Sequence, residues 1–146
     1  MQTFITSFLF DEAAKDLDSK RLNKQNLECR QILSVIERKK NAKTIEEYSK
    51  IAWRHHPAVL MWEDDVDALK VYHNCIMYEC EKRGIKQPNL LHTIPKDLPF
   101  PTFITIDLIT SHKSNLVRKN KEFYGPKFPN IPDDLPYLWP IQINKK

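Results

Sequence analysis

Asp18-Ser19-Lys20-Arg21-Leu22-Asn23-Lys24-Gln25-Asn26-Leu27-Glu28 opens a long helical pattern, and its reading decides the fold. With Asp18 or Ser19 as the cap, Arg21, Lys24, Gln25 and Glu28 fall at i, i+3, i+4 and i+7. That spacing sets two cations, an amide and a carboxylate on one stripe. The same side continues in Ile32 and Val35, with Leu22, Cys29, Leu33 and Ile36 as an apolar flank. A stripe that is charged for two turns and apolar afterwards runs from a cleft into a core, because a solvated face stays polar along its length. The competing reading is a salt-bridged surface helix in which Lys24 and Arg21 pair with Glu28. The merger with the apolar face, and similar polar clusters downstream, favour the cleft.

Working outward, 146 residues suffice for one domain, 1–146, with a sizeable core. The hydrophobic share of 41% and charged share of 29% are those of an ordinary globular chain. No apolar run reaches the roughly 18 residues of a membrane span, so no membrane partner is expected. The first ten residues lack a basic region ahead of their apolar stretch, and no signal peptide is expected. Cys29, Cys75 and Cys80 are odd in number and lack metal-type spacing. They suit reduced thiols in a cytoplasmic protein (nuclear, or in a viral factory, for a eukaryotic virus) that is not secreted. The net charge of +4 permits nucleic-acid binding without demanding it. Positive charge gathers at Lys20–Lys24, Arg38–Lys43, Lys113–Lys127 and the tail, while Glu63–Asp67 is acidic.

Glycine occurs only twice, at Gly84 and Gly125, against ten prolines. A Gly-rich phosphate loop and a dinucleotide fingerprint are thereby excluded. Helices are expected over about Asp11–Leu17, Ser19–Lys40, Ile45–Ala52 (capped by Thr44 with Glu47 at the capping-box position), and Pro57 to Arg83 with a kink near Asp64. Gly84 ends that fourth helix. Gln87–Pro101 reads as a proline-rich loop, followed by a helix over Thr102–Asn120 with Phe103, Ile106 and Ile109 as core candidates. β-branched residues at Ile104–Thr110 also allow a strand. From Phe123 onward the chain reads as an extended proline-rich tail whose aromatics pin it to the helices. The expected fold is all-α: a compact single-domain helical bundle with an extended N-terminus and a proline-rich C-terminal tail.

Two further clusters carry chemistry. Trp53-Arg54-His55-His56-Pro57 turns into a helix, where His56 either contacts phosphate or sugar beside the helix N-terminus or simply caps the turn. Adjacent histidines diverge and have no partner at ligand spacing, so no metal is expected. In Ser111-His112-Lys113-Ser114-Asn115-Leu116-Val117-Arg118-Lys119, helical spacing puts His112, Asn115 and Lys119 on one side and Ser111, Ser114 and Arg118 beside them. Hydroxyls, an amide and cations form a phosphate-contacting set, or else a solvated helix face. No Ser-His-Asp motif or paired-Cys metal site is present, which narrows any enzymatic reading toward acid/base or amine chemistry.

Taken together, these pieces resemble the pyrimidine-dimer DNA glycosylase family, the phage endonuclease V type and its bacterial and viral relatives. The carriers are Met1-Gln2-Thr3-Phe4, Leu17-Asp18 with Arg21-Leu22-x-Lys24-Gln25-x-x-Glu28, Gln31-Ile32-Leu33, and Trp53-Arg54-x-His56-Pro57-Ala58 with Met61-Trp62. Glu81-x-Arg83-Gly84, the Ser111–Lys119 run, Tyr124-Gly125-Pro126 and the stretch from Pro132 to Pro140 complete it. The resemblance implies a helical domain whose N-terminus threads into the site. The chain's own α-amine would attack the anomeric carbon of the damaged nucleotide, expel the base and leave an imine. A glutamate on the first long helix assists, β-elimination nicks the strand, and no cofactor takes part. An α-amine suits this because such groups titrate near ~7.7–8.0, far below lysine.

Two departures from the phage pattern assign the roles here. The bulky Gln2 blocks removal of Met1, so the Met1 amine is the expected nucleophile. Gln25 stands where the phage enzymes carry an acid and cannot exchange a proton, so Glu28, one turn on, replaces it. The expected catalytic set is therefore Met1, Gln2, Gln25 and Glu28. The expected DNA contacts are Arg21, Lys24, Arg54, His56, His112, Ser114, Asn115, Arg118 and Lys119. The partner is damaged or abasic duplex DNA, met by a monomer. Two alternatives stay open: a DNA-binding protein of this fold without lyase chemistry, and an enzyme acting on a small nucleotide ligand.

Overall fold

A computed structural model describes residues 1–86 and 91–140. Among them are seven helices and no strand: α1 (Phe10–Asp16), α2 (Ser19–Asn41), α3 (Ile45–Ser49), α4 (Pro57–Trp62), α5 (Val66–Lys82), α6 (Ile106–Lys119) and α7 (Lys121–Lys127). The α2 and α5 helices pack along each other, with α1 laid on α5, α4 against α2, and α7 against α6. One cluster of buried apolar side chains joins them, running from Phe4 to Phe128. Leu22, Ile32, Trp62, Leu69, Tyr72 and Ile76 are fully buried within it. Each aliphatic side chain so buried contributes about 1.5–3 kcal/mol.

The helix boundaries follow local chemistry. Thr44 caps α3 by accepting the Glu47 N–H at 3.0 Å, while Glu47 reaches back to the Lys43 N–H at 2.8 Å. Pro57 starts α4 at a position whose missing N–H costs nothing. Gly84, at φ 72°, ends α5 and lets the Ile85 N–H return to the Cys80 carbonyl at 2.9 Å. Arg83 then caps α1 from the side, donating to the carbonyls of Leu17 (2.7 Å) and Lys15 (3.1 Å).

Several expected boundaries need correction. The helix expected from Pro57 to Arg83 is two helices. Asp65, at φ −131° and ψ 44°, breaks it and starts α5 afresh, with acidic residues at its positive end. The short helix expected to reach Ala52 stops at Ser49. The late helix begins at Ile106 rather than Thr102, because Thr105 caps it by accepting the Leu108 N–H. Ile106 is consequently 70% exposed and no part of the core, whereas Ile109 is buried as expected and Ile104 joins it. Part of the expected tail is helical: Asn120 caps α7, and buried Tyr124 anchors it despite Pro126. Residues 87–90 of the expected proline-rich loop, and the basic end of the tail beyond residue 140, lie outside the described residues.

No described helix is long and apolar enough to cross a membrane. Cys29 and Cys80 are buried and Cys75 half-buried, all as free thiols. Burial pushes the Cys29 and Cys75 thiols up, away from reactivity.

Asp18 caps α2 without using its carboxylate on the helix. The carboxylate instead accepts the Tyr124 hydroxyl, whose oxygen accepts the Asp18 N–H at 2.9 Å. This reciprocal pair ties α7 to the start of α2. Tyr124→Phe leaves the Asp18 N–H and carboxylate without that partner, and urea denaturation should show a loss of about 1–3 kcal/mol.

Candidate active site

The first six residues form no helix, yet Thr3, Phe4, Ile5 and Thr6 are buried. Their backbone N–H and C=O groups therefore need partners from side chains. Gln25, on α2, serves two backbone groups of the segment and links them to its neighbours. Its Oε1 accepts the Phe4 N–H (3.2 Å) and a proton shared from the Tyr72 hydroxyl (2.7 Å). Its Nε2 donates to the Gln2 carbonyl (2.8 Å) and to Glu28 Oε2 (2.9 Å). Every valence of the amide is used. A carboxylate at this position would face the Gln2 carbonyl and the Glu28 carboxylate with no proton to offer.

Three more side chains complete the strap. Trp62 Nε1 donates to Thr3 Oγ1 at 3.0 Å, and the Tyr137 hydroxyl donates to the Thr3 carbonyl at 2.6 Å. His112 Nδ1 accepts the Ile5 N–H at 2.9 Å, which places the imidazole proton on Nε2. Burial pulls the His112 ring down to about 3, weakly opposed by a Leu138 backbone contact, so it stays neutral.

The strap delivers the N-terminus to the junction of two clefts that share Glu28. One, about 490 Å³, is lined by Met1, Glu28, Leu27, Arg30, Gln31, Ser34, Val35, Arg38 and Trp53. The other, about 210 Å³, is lined by Gln2, Phe4, Lys20, Arg21, Lys24, Gln25, Glu28 and Lys119. Burial raises the Glu28 carboxyl above its ordinary value. The positive N-terminus, Lys24, the Gln2 backbone N–H and Lys119 pull the other way, in that order. Met1 and Glu28 thus line one cleft, with the terminal charge acting on a buried carboxyl. That charge also adds to burial in lowering His56.

Of the expected DNA contacts, Arg21, Lys24 and Lys119 come together around the smaller cleft, joined by Lys20. Arg21 also lies 3.6 Å from Asp18 rather than pairing with Glu28. His56 uses Nδ1 to cap α4 through the Ala58 N–H at 3.0 Å. Arg54 braces its own turn, donating to the Ile51 carbonyl at 3.1 Å and lying over the Tyr48 ring.

The Ser111–Lys119 run needs the largest correction. His112, Ser114 and Asn115 are buried, so a phosphate outside cannot reach them. Ser114 Oγ accepts the Leu135 N–H (3.0 Å), and Asn115 Nδ2 donates to the carbonyls of Ser111 and Leu135. Ser111 Oγ donates to the Pro136 carbonyl (2.8 Å) and accepts the Leu138 N–H (2.7 Å). Arg118 is exposed, but its guanidinium grips the carbonyls of Asp133 (2.9 Å) and Leu135 (3.1 Å). These residues hold the proline-rich tail. The tail in turn stacks Tyr137 on His112, at 4.4 Å between ring centroids, and sends the Tyr137 hydroxyl to Thr3.

Several lining residues were not among the expected catalytic and DNA-contacting residues: Lys20, Leu27, Arg30, Ser34, Arg38 and Trp53. The signal was available for some, since Leu27, Gln31, Ser34 and Arg38 follow at i, i+4, i+7 and i+11. Trp53, which opens the Trp53–Pro57 cluster, is 62% exposed and sits at φ 67°, a left-handed conformation that costs about 1–2 kcal/mol for a residue with a Cβ. Among the described residues, no group of three His, Cys, Asp or Glu side chains is arranged to hold a metal.

Comparison with known proteins yields one family. A family model described as pyrimidine dimer DNA glycosylase matches residues 1–93, a span that holds Met1, Gln25, Glu28 and both clefts except Lys119. No curated protein and no solved structure matches the chain.

The raised Glu28 carboxyl carries a stability consequence. An acid whose folded value exceeds its unfolded one favours folding while protonated and loses that advantage as pH rises between the two. Glu28→Gln should therefore unfold at a higher temperature than the parent near pH 7. Below the ordinary glutamate value of 4.5 the advantage should disappear, as read from thermal melts across pH.

Proposed function

The chain belongs to the pyrimidine dimer DNA glycosylase family, and on that premise we propose that it is a DNA glycosylase and AP lyase working through the Met1 amine. Its substrate is damaged or abasic duplex DNA, and the whole chain acts as a monomer. The observation that carries this reading is the captured N-terminus. Gln25, Trp62, Tyr137 and His112 hold residues 2–5, Met1 and Glu28 line one cleft together, and the terminal charge acts on the Glu28 carboxyl.

The chemistry follows from that placement. The neutral amine attacks C1′ of the damaged nucleotide, the bond from C1′ to the base nitrogen breaks, and the base leaves with a proton. One amine proton leaves with the base and the other passes to O4′ as the C1′–O4′ bond breaks, giving an imine between the terminal nitrogen and C1′. The imine withdraws electrons from C2′, a C2′ proton departs, and the C3′–O3′ bond breaks. Glu28 is the group placed to move these protons, and burial keeps its carboxyl closer to neutrality than an exposed glutamate. Gln25 positions the strap and Glu28 without exchanging protons, which is why an amide serves there. Arg21, Lys24 and Lys119, with Lys20, face the backbone phosphates flanking the lesion.

Borohydride trapping tests the reading. Wild type incubated with abasic duplex and reduced should form a covalent adduct whose peptide map ends at Met1. Acetylation of the α-amine should abolish it, and Glu28→Gln should slow strand cleavage by about 10²-fold or more. A protein that binds the duplex tightly but never gives an adduct is a binder without lyase chemistry, and the proposal then falls. Separately, Lys24→Ala should weaken binding on all sequences alike and flatten the dependence of log affinity on log salt by about one unit.

A further inference from the structure

A third cleft, of about 400 Å³, opens between the C-terminal half of α2, the start of α5 and the segment at His92. It shares no lining residue with the two clefts at Glu28. Its polar rim is Lys40, Asn41, Lys70, His92 and Glu37. Lys40 makes no ion pair among the described residues, and Lys70 reaches only Asp67, at 3.9 Å. Two cations with charge to spare therefore stand against one acid.

The histidine on this rim is fixed from behind. Its backbone N–H donates to Asn74 Oδ1 at 2.9 Å, and its carbonyl accepts from Asn74 Nδ2 at 3.0 Å. Its ring Nε2 lies 2.8 Å from Nδ1 of His73, whose own Nε2 lies 2.7 Å from Asn26 Oδ1. His73 and Asn26 are buried. An amide oxygen carries no proton, so the order of protons is set. His73 Nε2–H donates to Asn26, and His92 Nε2–H donates to His73 Nδ1. Burial, then His92 and Arg30, pull the His73 ring down to about 4, which keeps it neutral and the order intact. A neutral His92 consequently carries its lone pair on Nδ1, the ring nitrogen to which no described residue bonds. Burial and then Lys70 lower His92 too.

The cleft thus offers two ammonium groups beside one acceptor nitrogen. A bare anion would satisfy the lysines and set its lone pairs against Nδ1. A metal cation would suit Nδ1 and be repelled by the lysines. An anion that also carries a proton satisfies all three groups.

We propose that this cleft binds a phosphate monoester as its monoanion, the P–OH donating to His92 Nδ1 while the other oxygens accept from Lys40 and Lys70. Phosphate monoesters lose their second proton at about 6, so the monoanion costs little near neutrality. A diester within a strand has no such proton, which separates this cleft from the basic one around Lys24. Two sources share the chemistry: a free nucleoside monophosphate and the phosphorylated end of a strand. The inference shares no residue with the amine reading and does not depend on it.

Nitrogen NMR of the wild-type chain, labelled at its histidines and titrated with thymidine 5′-monophosphate, reads the site directly. The His92 ring signals should shift saturably. Affinity should fall about tenfold per pH unit above pH ~7, where the shared proton is lost. Lys40→Ala and Lys70→Ala should each weaken binding about tenfold, and Glu37→Gln should tighten it about threefold. These three side chains are exposed or half-buried, so the variants keep the fold. Lys24→Ala should leave the His92 response unchanged. A His92 signal that stays still, or that moves equally in both lysine variants, overturns the proposal, as does an affinity that rises with pH. A 5′-phosphorylated duplex, compared with its 5′-hydroxyl form, distinguishes the sources. A His92 shift with the nucleotide alone assigns the cleft to free nucleotides, and a shift with the phosphorylated duplex alone assigns it to strand ends. Borohydride trapping bears only on Met1, so the two readings fail separately.

Discussion

One amide organises the molecule. Gln25 projects from α2 into a place where backbone groups of residues 2–4, the Tyr72 hydroxyl and the Glu28 carboxylate all need partners, and it serves each of them. A buried segment without regular structure is normally untenable, because its peptide groups have nothing to bond. Here the N-terminal strap is tenable because side chains stand in for a sheet or helix. Gln25, Tyr137 and His112 each answer a specific N–H or carbonyl, so the strap has one register and the terminal amine one position.

The second support is less obvious. Ser111, Ser114, Asn115 and Arg118 resemble a nucleic-acid-contacting set, yet they are occupied by carbonyls and N–H groups of the proline-rich tail. Proline removes donors from that tail but leaves every carbonyl, and a surface rich in amide and guanidinium donors is its natural complement. Through Tyr137 the tail reaches Thr3, so α6 reaches the N-terminus by two routes: directly by His112 and indirectly by the tail. The family match ends at residue 93, and both routes come from beyond it.

Much of this was legible in the sequence. The stripe on α2 passes from cleft to core as its spacing predicts, with Gln25 and Glu28 buried and Lys24 exposed. The Thr44, Pro57 and Gly84 signals work as local rules because each is satisfied within a few residues. What was not legible depends on distant partners. Whether a serine on α6 meets a phosphate or a proline-rich tail cannot be told from its own helix, since both offer oxygen acceptors. A kink was legible near Asp64, but not that the backbone at Asp65 would divide the pattern into two helices. The cluster that Trp53 opens was visible, but its left-handed backbone was not, because such a φ at a residue other than glycine leaves no periodic trace.

The contacts that close the strap span enormous separations along the chain: Ile5 to His112 is 107 residues and Thr3 to Tyr137 is 134. Contacts this distant incur the largest loop-closure entropy and form late in folding. Residues 3–5 are therefore among the last to be locked down. Until Tyr137 docks, the Thr3 carbonyl lacks its partner and the strap hangs on Gln25, Trp62 and His112 alone.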